Sequence, residues 1–385
     1  MKILYTLNSG SPGGMEQHVL DLVTGMANRG HEVFVWCKEG PIVEQFQKAG
    51  AKTTTTEITF DICPSYILAL TEFLKKEKVE VVHAHELKAA ANTLIAGYLA
   101  KTPVKISHTH TPISEWKIDP FRKRVNVLAN TFLVNYLATR EIALTESRKN
   151  TKISEGIREG KLMVIPNGVN IDKFTFSPVE RAELKKEILE RYKIPTNAFT
   201  FGFLSRITKE KGHDVLVKAF ANFLKRAEQK GQDVSNVYLL LAGGGNLEDS
   251  IKKLATDLGI SKKVVITGVF DAVDLTKFYA SFDAFVFPSL AEGFGIVLIE
   301  AMASELSIIC SDLPVLQEVG GSTVMYSEVG NVEELTEKMY DLYVRFDRFE
   351  QVRQDARRRV ADLFSLENFV TKYENLYLEL LEGMV

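Results

Sequence analysis

Three cysteines in 385 residues, Cys37, Cys63 and Cys310, are too few and too scattered for a disulfide framework. No Cys-x-x-Cys pair offers zinc spacing, so a reduced, cytoplasmic setting is expected. A basic excess is also missing. The formal charge of −3 argues against a nucleic-acid partner. No window reaches the roughly 18 consecutive apolar residues that a membrane-spanning helix requires. The chain opens directly into the strand-like run Lys2-Ile-Leu-Tyr-Thr-Leu7, with no signal-peptide core, which leaves only peripheral membrane attachment open. Gly-x-Gly-x-x-Gly, the dinucleotide fingerprint, does not occur. Nor does Asp-x-Asp, which disfavours a nucleotide-sugar enzyme relying on a chelated divalent cation.

What is present is an ordinary globular balance, 45% hydrophobic and 25% charged, with length enough for more than one core. Short β-branched and apolar runs alternate with segments of 3.6-residue periodicity almost throughout. Strands are expected at 3–7, 33–37, 79–83, 104–107, 142–145 and 162–165. A second set is expected at 199–205, 237–242, 264–267, 284–288, 307–311 and 323–326. Strands alternating with helices read as βαβ units and parallel sheets, and twelve are too many for one ordinary open sheet. The Ile165-Pro-Asn-Gly segment punctuates the chain between the two sets. The expected domains are residues 1–164 and 165–365, with a last helix at about 366–385 packing back on the first.

Several strand ends carry residues suited to anionic ligands. Gly13-Gly14-Met15-Glu16 joins the first strand to the first helix, where free backbone N–H groups and the helix dipole favour phosphate. A plain tight turn would use the same glycines. Arg206 and Lys211 flank the end of another strand, and two fixed cations suit a diphosphate as well as they suit a solvated loop. Gly243-Gly244-Gly245 repeats the strand–turn–helix pattern. In Glu292-Gly293-Phe294-Gly295 a glycine-rich loop leads into an apolar helix containing Glu300. A carboxylate among such neighbours is expected to be partly buried and to need hydrogen-bond donors. Ribose hydroxyls would serve, as would an internal partner. His83, His85, His108 and His110 fall at two consecutive strand ends, but no carboxylate or cysteine completes a metal set, so no metal is expected there.

Together these segments resemble glycosyltransferase family 4, the retaining enzymes of the GT-B fold. The resemblance rests on Gly13-Gly14-x-Glu16, Ile165-Pro-Asn-Gly-Val, Arg206 with Lys211-Gly212, and Glu292-Gly-Phe-Gly followed by Glu300-Ala-Met-Ala. It implies an α/β protein of two Rossmann-like domains with parallel sheets facing a central cleft, the second domain holding a nucleotide-sugar donor. By motif position Arg206 and Lys211 would bind the diphosphate, Glu300 the ribose, and Glu292 the transferred sugar. Gly293, Phe294 and Gly295 would offer backbone groups, Gly14 would approach the diphosphate, and Gly268, Val269 and Phe270 would surround the base. His110 matches the family histidine near the sugar, and with Glu16 it would lie on the acceptor side. No cofactor is implied beyond the donor, a UDP-sugar by family frequency. The acceptor would be a sugar, a small molecule or a lipid-linked sugar. An epimerase of the same fold and a silent sugar-nucleotide-binding protein are the alternatives. The family's Gly and Pro after Glu-Ala-Met-Ala are replaced by Glu305 and Ser307. Residues 116–140 combine a basic start with an apolar helix. The favoured expectation is a core helix packed on the first sheet, the other a weak peripheral membrane contact.

Overall fold

In the computed structural model, which describes residues 1–383, near-continuous apolar runs form buried parallel strands and the amphipathic stretches cover them as helices. Met384 and Val385, the end of the expected last helix, lie outside the described residues. The chain divides into two compact units, Met1–Gly168 with the segment from Leu366 onward, and Val169–Ser365.

The first unit contains β1 (Lys2–Thr6), β2 (Glu32–Cys37), β3 (Lys52–Thr55), β4 (Val81–His85), β5 (Val104–His108), β6 (Arg140–Ala143) and β7 (Leu162–Val164). They form one parallel sheet in the order β3-β2-β1-β4-β5-β6-β7. β3 was not among the expected strands. Its sequence, Lys-Thr-Thr-Thr, is mostly exposed at the sheet edge and carries no apolar signal. On one face Ile3, Tyr5, Val33 and Val35 pack with Val19, Leu22 and Val23 of the helix Gly14–Asn28. Phe369, Val370, Tyr373 and Tyr377 of the helix Leu366–Glu382 complete that core.

The second unit contains β8 (Phe199–Leu204), β9 (Val237–Ala242), β10 (Val264–Ile266), β11 (Ala284–Phe287), β12 (Ser307–Ser311) and β13 (Met325–Ser327). Their order is β10-β9-β8-β11-β12-β13, again parallel. Strand order reverses between β1 and β4 in one sheet and between β8 and β11 in the other. Such switch points open a crevice at the carboxyl ends of the strands, where open α/β sheets bind ligands. Glu305, where the resemblance leads to glycine, still holds a left-handed φ of 54° in the turn into β12.

The helix Pro120–Leu137 overturns the core-helix expectation. Only Asn130 and Val134 of it are buried. Its large apolar residues Phe121, Val125, Leu128, Phe132 and Tyr136 are exposed. The helix is anchored through the opposite side, where Leu133, Val134 and Leu137 join Leu94, Ile157 and Leu162.

Candidate active site

In the second unit the loops after β8 and β11 lie against each other at the switch point. Gly212 shows why glycine is needed there: its φ is 68°, and a Cβ would come within 2.2 Å of the Pro288 carbonyl oxygen. The Leu290 N–H donates to the Glu210 carbonyl at 2.8 Å, tying the loops together again. That contact brings Lys211 and Glu292 into an ion pair, with Lys211 Nζ donating to Glu292 Oε1. Ser289 Oγ donates to the same oxygen at 2.9 Å. Arg206 stands exposed at the head of the β8 loop. The glycine run after β9 packs beside it, since a Cβ on Gly243 would meet the Ser205 carbonyl oxygen at 2.0 Å.

Glu300 sits on the helix Ile296–Ala303, which begins at the left-handed Gly295. It is half-buried, and its Oε2 accepts a hydrogen bond from the Tyr279 hydroxyl at 2.7 Å. Burial and then the facing carboxylate push the Tyr279 phenol well above its ordinary pKa, so it stays a donor. Phe294 is buried against Phe364, which leaves only its backbone to face a ligand. Val269 is almost fully exposed, while the Phe270 ring packs on Phe278. Gly268 has a φ of 71°, and the Thr267 hydroxyl donates to its carbonyl at 2.8 Å.

Gly14, Glu16 and His110 belong to the first unit. Gly14 starts the helix Gly14–Asn28, and Glu16 is buried in its first turn. His110 joins a cluster of five imidazoles. Its ring stacks on His108 at 3.9 Å and meets His18 edge-on at 4.9 Å, and its Nε2 lies 3.2 Å from His85 Nδ1. His83 lies 4.2 Å from His85, ring to ring. The ring nitrogens of His18, His85, His108 and His110 come within 4.8 Å of one another, a spacing compatible with a cation, although no carboxylate or thiol joins them. The loop carrying His110 is set from below by Lys152. Its ammonium donates to the carbonyls of Thr109 and Ile142, each at 2.8 Å, and pairs with the fully buried Glu141.

Four residues of these sites carried no signal in the sequence. His18 lies on a helix far along the chain from the other histidines and donates to Asn167 at 2.7 Å. Tyr279 and Ser289 are polar partners supplied by neighbouring elements. Glu86 follows His85 with φ 67° and ψ 162°, a conformation nearly confined to glycine. Holding a glutamate there costs about 1–3 kcal/mol, and such strain concentrates at functional sites.

Burial lowers the pKa of every imidazole in the cluster, that of His18 to about 4. The folded chain therefore resists a proton that the unfolded chain accepts near 6.5. Stability is full above 6.5 and falls as the pH drops from there toward 4. Between pH 6.5 and 5 the His18 share of the loss is roughly 1.5 kcal/mol. Urea denaturation at both pH values should show a loss smaller by about that amount in His18→Gln. Equal losses in variant and wild type would exclude His18 as a source.

Residues 12–173 match the family described as Glycosyltransferase Family 4, and residues 185–359 match Glycosyl transferases group 1. The capsular polysaccharide biosynthesis glycosyltransferase CapM of Staphylococcus aureus is 28% identical over 319 residues, covering 81% of this chain and 80% of its own. The UDP-Gal:alpha-D-GlcNAc-diphosphoundecaprenol alpha-1,3-galactosyltransferase of Escherichia coli is 24% identical over 369 residues, 92% of this chain and 91% of its own. The crystal structure of Anabaena Alr3699/HepE in complex with UDP and glucose shares the fold, with a TM-score of 0.84 at 20% identity, covering 98% of this chain and 100% of that one.

Proposed function

The chain belongs to glycosyltransferase family 4, and from that premise we propose that it transfers a hexose-type sugar from a nucleotide diphosphate donor, with retention and without an obligatory metal. It is a glycosyltransferase of the GT-B fold. The observation that carries the finer reading is the Lys211–Glu292 pair at the β8–β11 switch point, with Arg206 at the head of the β8 loop and Glu300 on the helix after β11. Arg206 and Lys211 take the diphosphate, Glu300 and Tyr279 the ribose, and Glu292 the sugar. The Gly268-Val269-Phe270 turn is left to the base.

As the bond from the anomeric carbon to the phosphate oxygen breaks, negative charge grows on the diphosphate. Arg206, Lys211 and the amides around Gly293 and Gly295 stabilise it. The acceptor oxygen bonds to that carbon on the face the phosphate leaves, and its proton passes to the departing phosphate oxygen. Configuration is thereby retained without a dedicated protein base. Glu292 stays ion-paired and hydrogen-bonded, which suits a sugar-holding role better than attack on carbon. A UDP-sugar is favoured by the relative that takes UDP-Gal, and that relative's diphosphoundecaprenol-linked acceptor brings lipid-linked sugars into the acceptor class beside soluble ones. His110, kept neutral by burial, serves as a hydrogen-bonding group on the acceptor side.

The test is release of nucleotide diphosphate from UDP-, GDP- and ADP-sugars in the presence of EDTA. Turnover should survive the chelator with one of them. Complete loss, restored by Mg²⁺ or Mn²⁺, would replace the cationic side chains with a metal in this account.

A further inference from the structure

We propose that His18, His85, His108 and His110 of the first unit bind one borderline divalent transition-metal ion such as zinc. One ring nitrogen from each converges to within 4.8 Å of the others. The rings meet from different directions, His18 standing edge-on to His108 and to His110, each at 4.9 Å between centroids. His18, His85 and His108 are buried and His110 is half-buried, which leaves one side from which an ion can enter. The strand-end histidines have no carboxylate or cysteine to complete a set, and in the fold another imidazole takes that place. His18 arrives on the helix Gly14–Asn28, while His83 stands outside the four.

Unused ring nitrogens point to a ligand. Buried polar side-chain atoms normally find a hydrogen-bond partner. Here His18 Nε2, His85 Nε2 and both nitrogens of His108 have none among the described residues. His18 Nδ1 donates to Asn167 Oδ1 at 2.7 Å, which fixes the ring and leaves Nε2 as the lone-pair nitrogen. Metal-ligating histidines are held in this way, the second ring nitrogen given to a neighbouring acceptor. The donor set also selects the ion. Imidazole suits zinc, nickel and copper, whereas magnesium and calcium take oxygen ligands. A tetrahedral zinc site with bonds of about 2.1 Å spaces its nitrogens about 3.4 Å apart, so the widest pair must close by roughly 1.4 Å. His108 and His110, stacked with 14° between their planes, must tilt for both lone pairs to converge, and the half-buried His110 has room to turn. Burial holds all four rings in the neutral state that metals require. The ion takes no part in the transfer proposed above, where Arg206 and Lys211 supply the positive charge.

The test is titration of the metal-free full chain with Co²⁺, followed by its visible absorption. Neither donor nor acceptor is present, so the outcome stands apart from that of the transfer reading. Wild type should take up one equivalent with the intense absorption of a four-coordinate, nitrogen-ligated ion, and Zn²⁺ should displace it. His18→Gln should remove that absorption. Asn167→Ala keeps all four ligands but frees the His18 ring, and should weaken binding about 10–100-fold. His31→Gln with His213→Gln deletes the two histidines outside the five-ring cluster and should leave the titration as it is. A wild-type spectrum showing only the pale absorption of hydrated cobalt, the mark of an adventitious surface ion, would overturn the proposal. So would absorption unchanged in His18→Gln, wild-type affinity in Asn167→Ala, or loss of the absorption in the His31 and His213 variant.

Discussion

Lys211→Ala and Arg206→Ala should each lower turnover by about 10²–10³ at saturating donor, a loss of roughly 3–4 kcal/mol of transition-state stabilisation. Both side chains stand at loop ends, and neither belongs to the hydrophobic core, so the unfolding temperature should barely move. The two variants should differ in one respect. Lys211 holds Glu292, and without it the carboxylate keeps only the Ser289 hydroxyl of the two contacts described above. Lys211→Ala should therefore also raise the KM for the sugar-bearing donor relative to the free nucleotide, whereas Arg206→Ala should weaken the two equally. Steady-state kinetics with donor and product inhibition by nucleotide diphosphate measure both effects. Turnover near that of wild type in either variant would remove that residue from the diphosphate site.

Lys152→Met should destabilise the first unit by about 3–5 kcal/mol, the usual result of leaving one member of a buried ion pair without its counter-charge. Lys152 and Glu141 are 1 and 0% exposed, so solvent cannot take over the role of the lost ammonium. Glu141 also accepts from the Thr109 N–H at 3.2 Å and its hydroxyl at 2.6 Å, and these bonds persist in the variant. They do not neutralise the charge. Adding Glu141→Gln should recover most of the loss, because an amide can still accept from Thr109 and carries no charge to bury. Denaturant midpoints for the two variants give the comparison directly. A single variant as stable as wild type would show that the pair contributes little, and the setting of the His110 loop would need another cause.

Both sheets were legible in the chain because their strands are short apolar runs, although β4 and β6 lie two residues from the expected 79–83 and 142–145, and one polar strand gave no signal at all. Lys52–Thr55 went unseen because it is a polar edge strand, held by pairing to β2 and not by a buried face of its own. The loops that form the donor-side crevice announce themselves through glycines and charges placed after strands, a local signal. Partners are not local. Lys211 and Glu292 are 81 positions apart, and His18 and Asn167 are 149 apart, so only the order of strands in the sheet makes neighbours of them. The helix Pro120–Leu137 departs from the expectation for a different reason. Helical spacing of apolar residues identifies a face without saying which way it points, and here a less apolar face is the buried one.

Calorimetric titration of wild type, Lys211→Ala and Glu300→Gln with a uridine, UMP and UDP series tests the donor site most directly, with guanosine and adenosine series in parallel. The account predicts that one base series binds wild type and tightens from nucleoside to diphosphate. Lys211→Ala should lose the gain made by the phosphates while binding the nucleoside as before. Glu300→Gln should weaken nucleoside and diphosphate alike, because the ribose contact is common to both and a neutral amide accepts less strongly than a carboxylate. Binding of the diphosphate at wild-type strength by both variants would contradict the donor site described here.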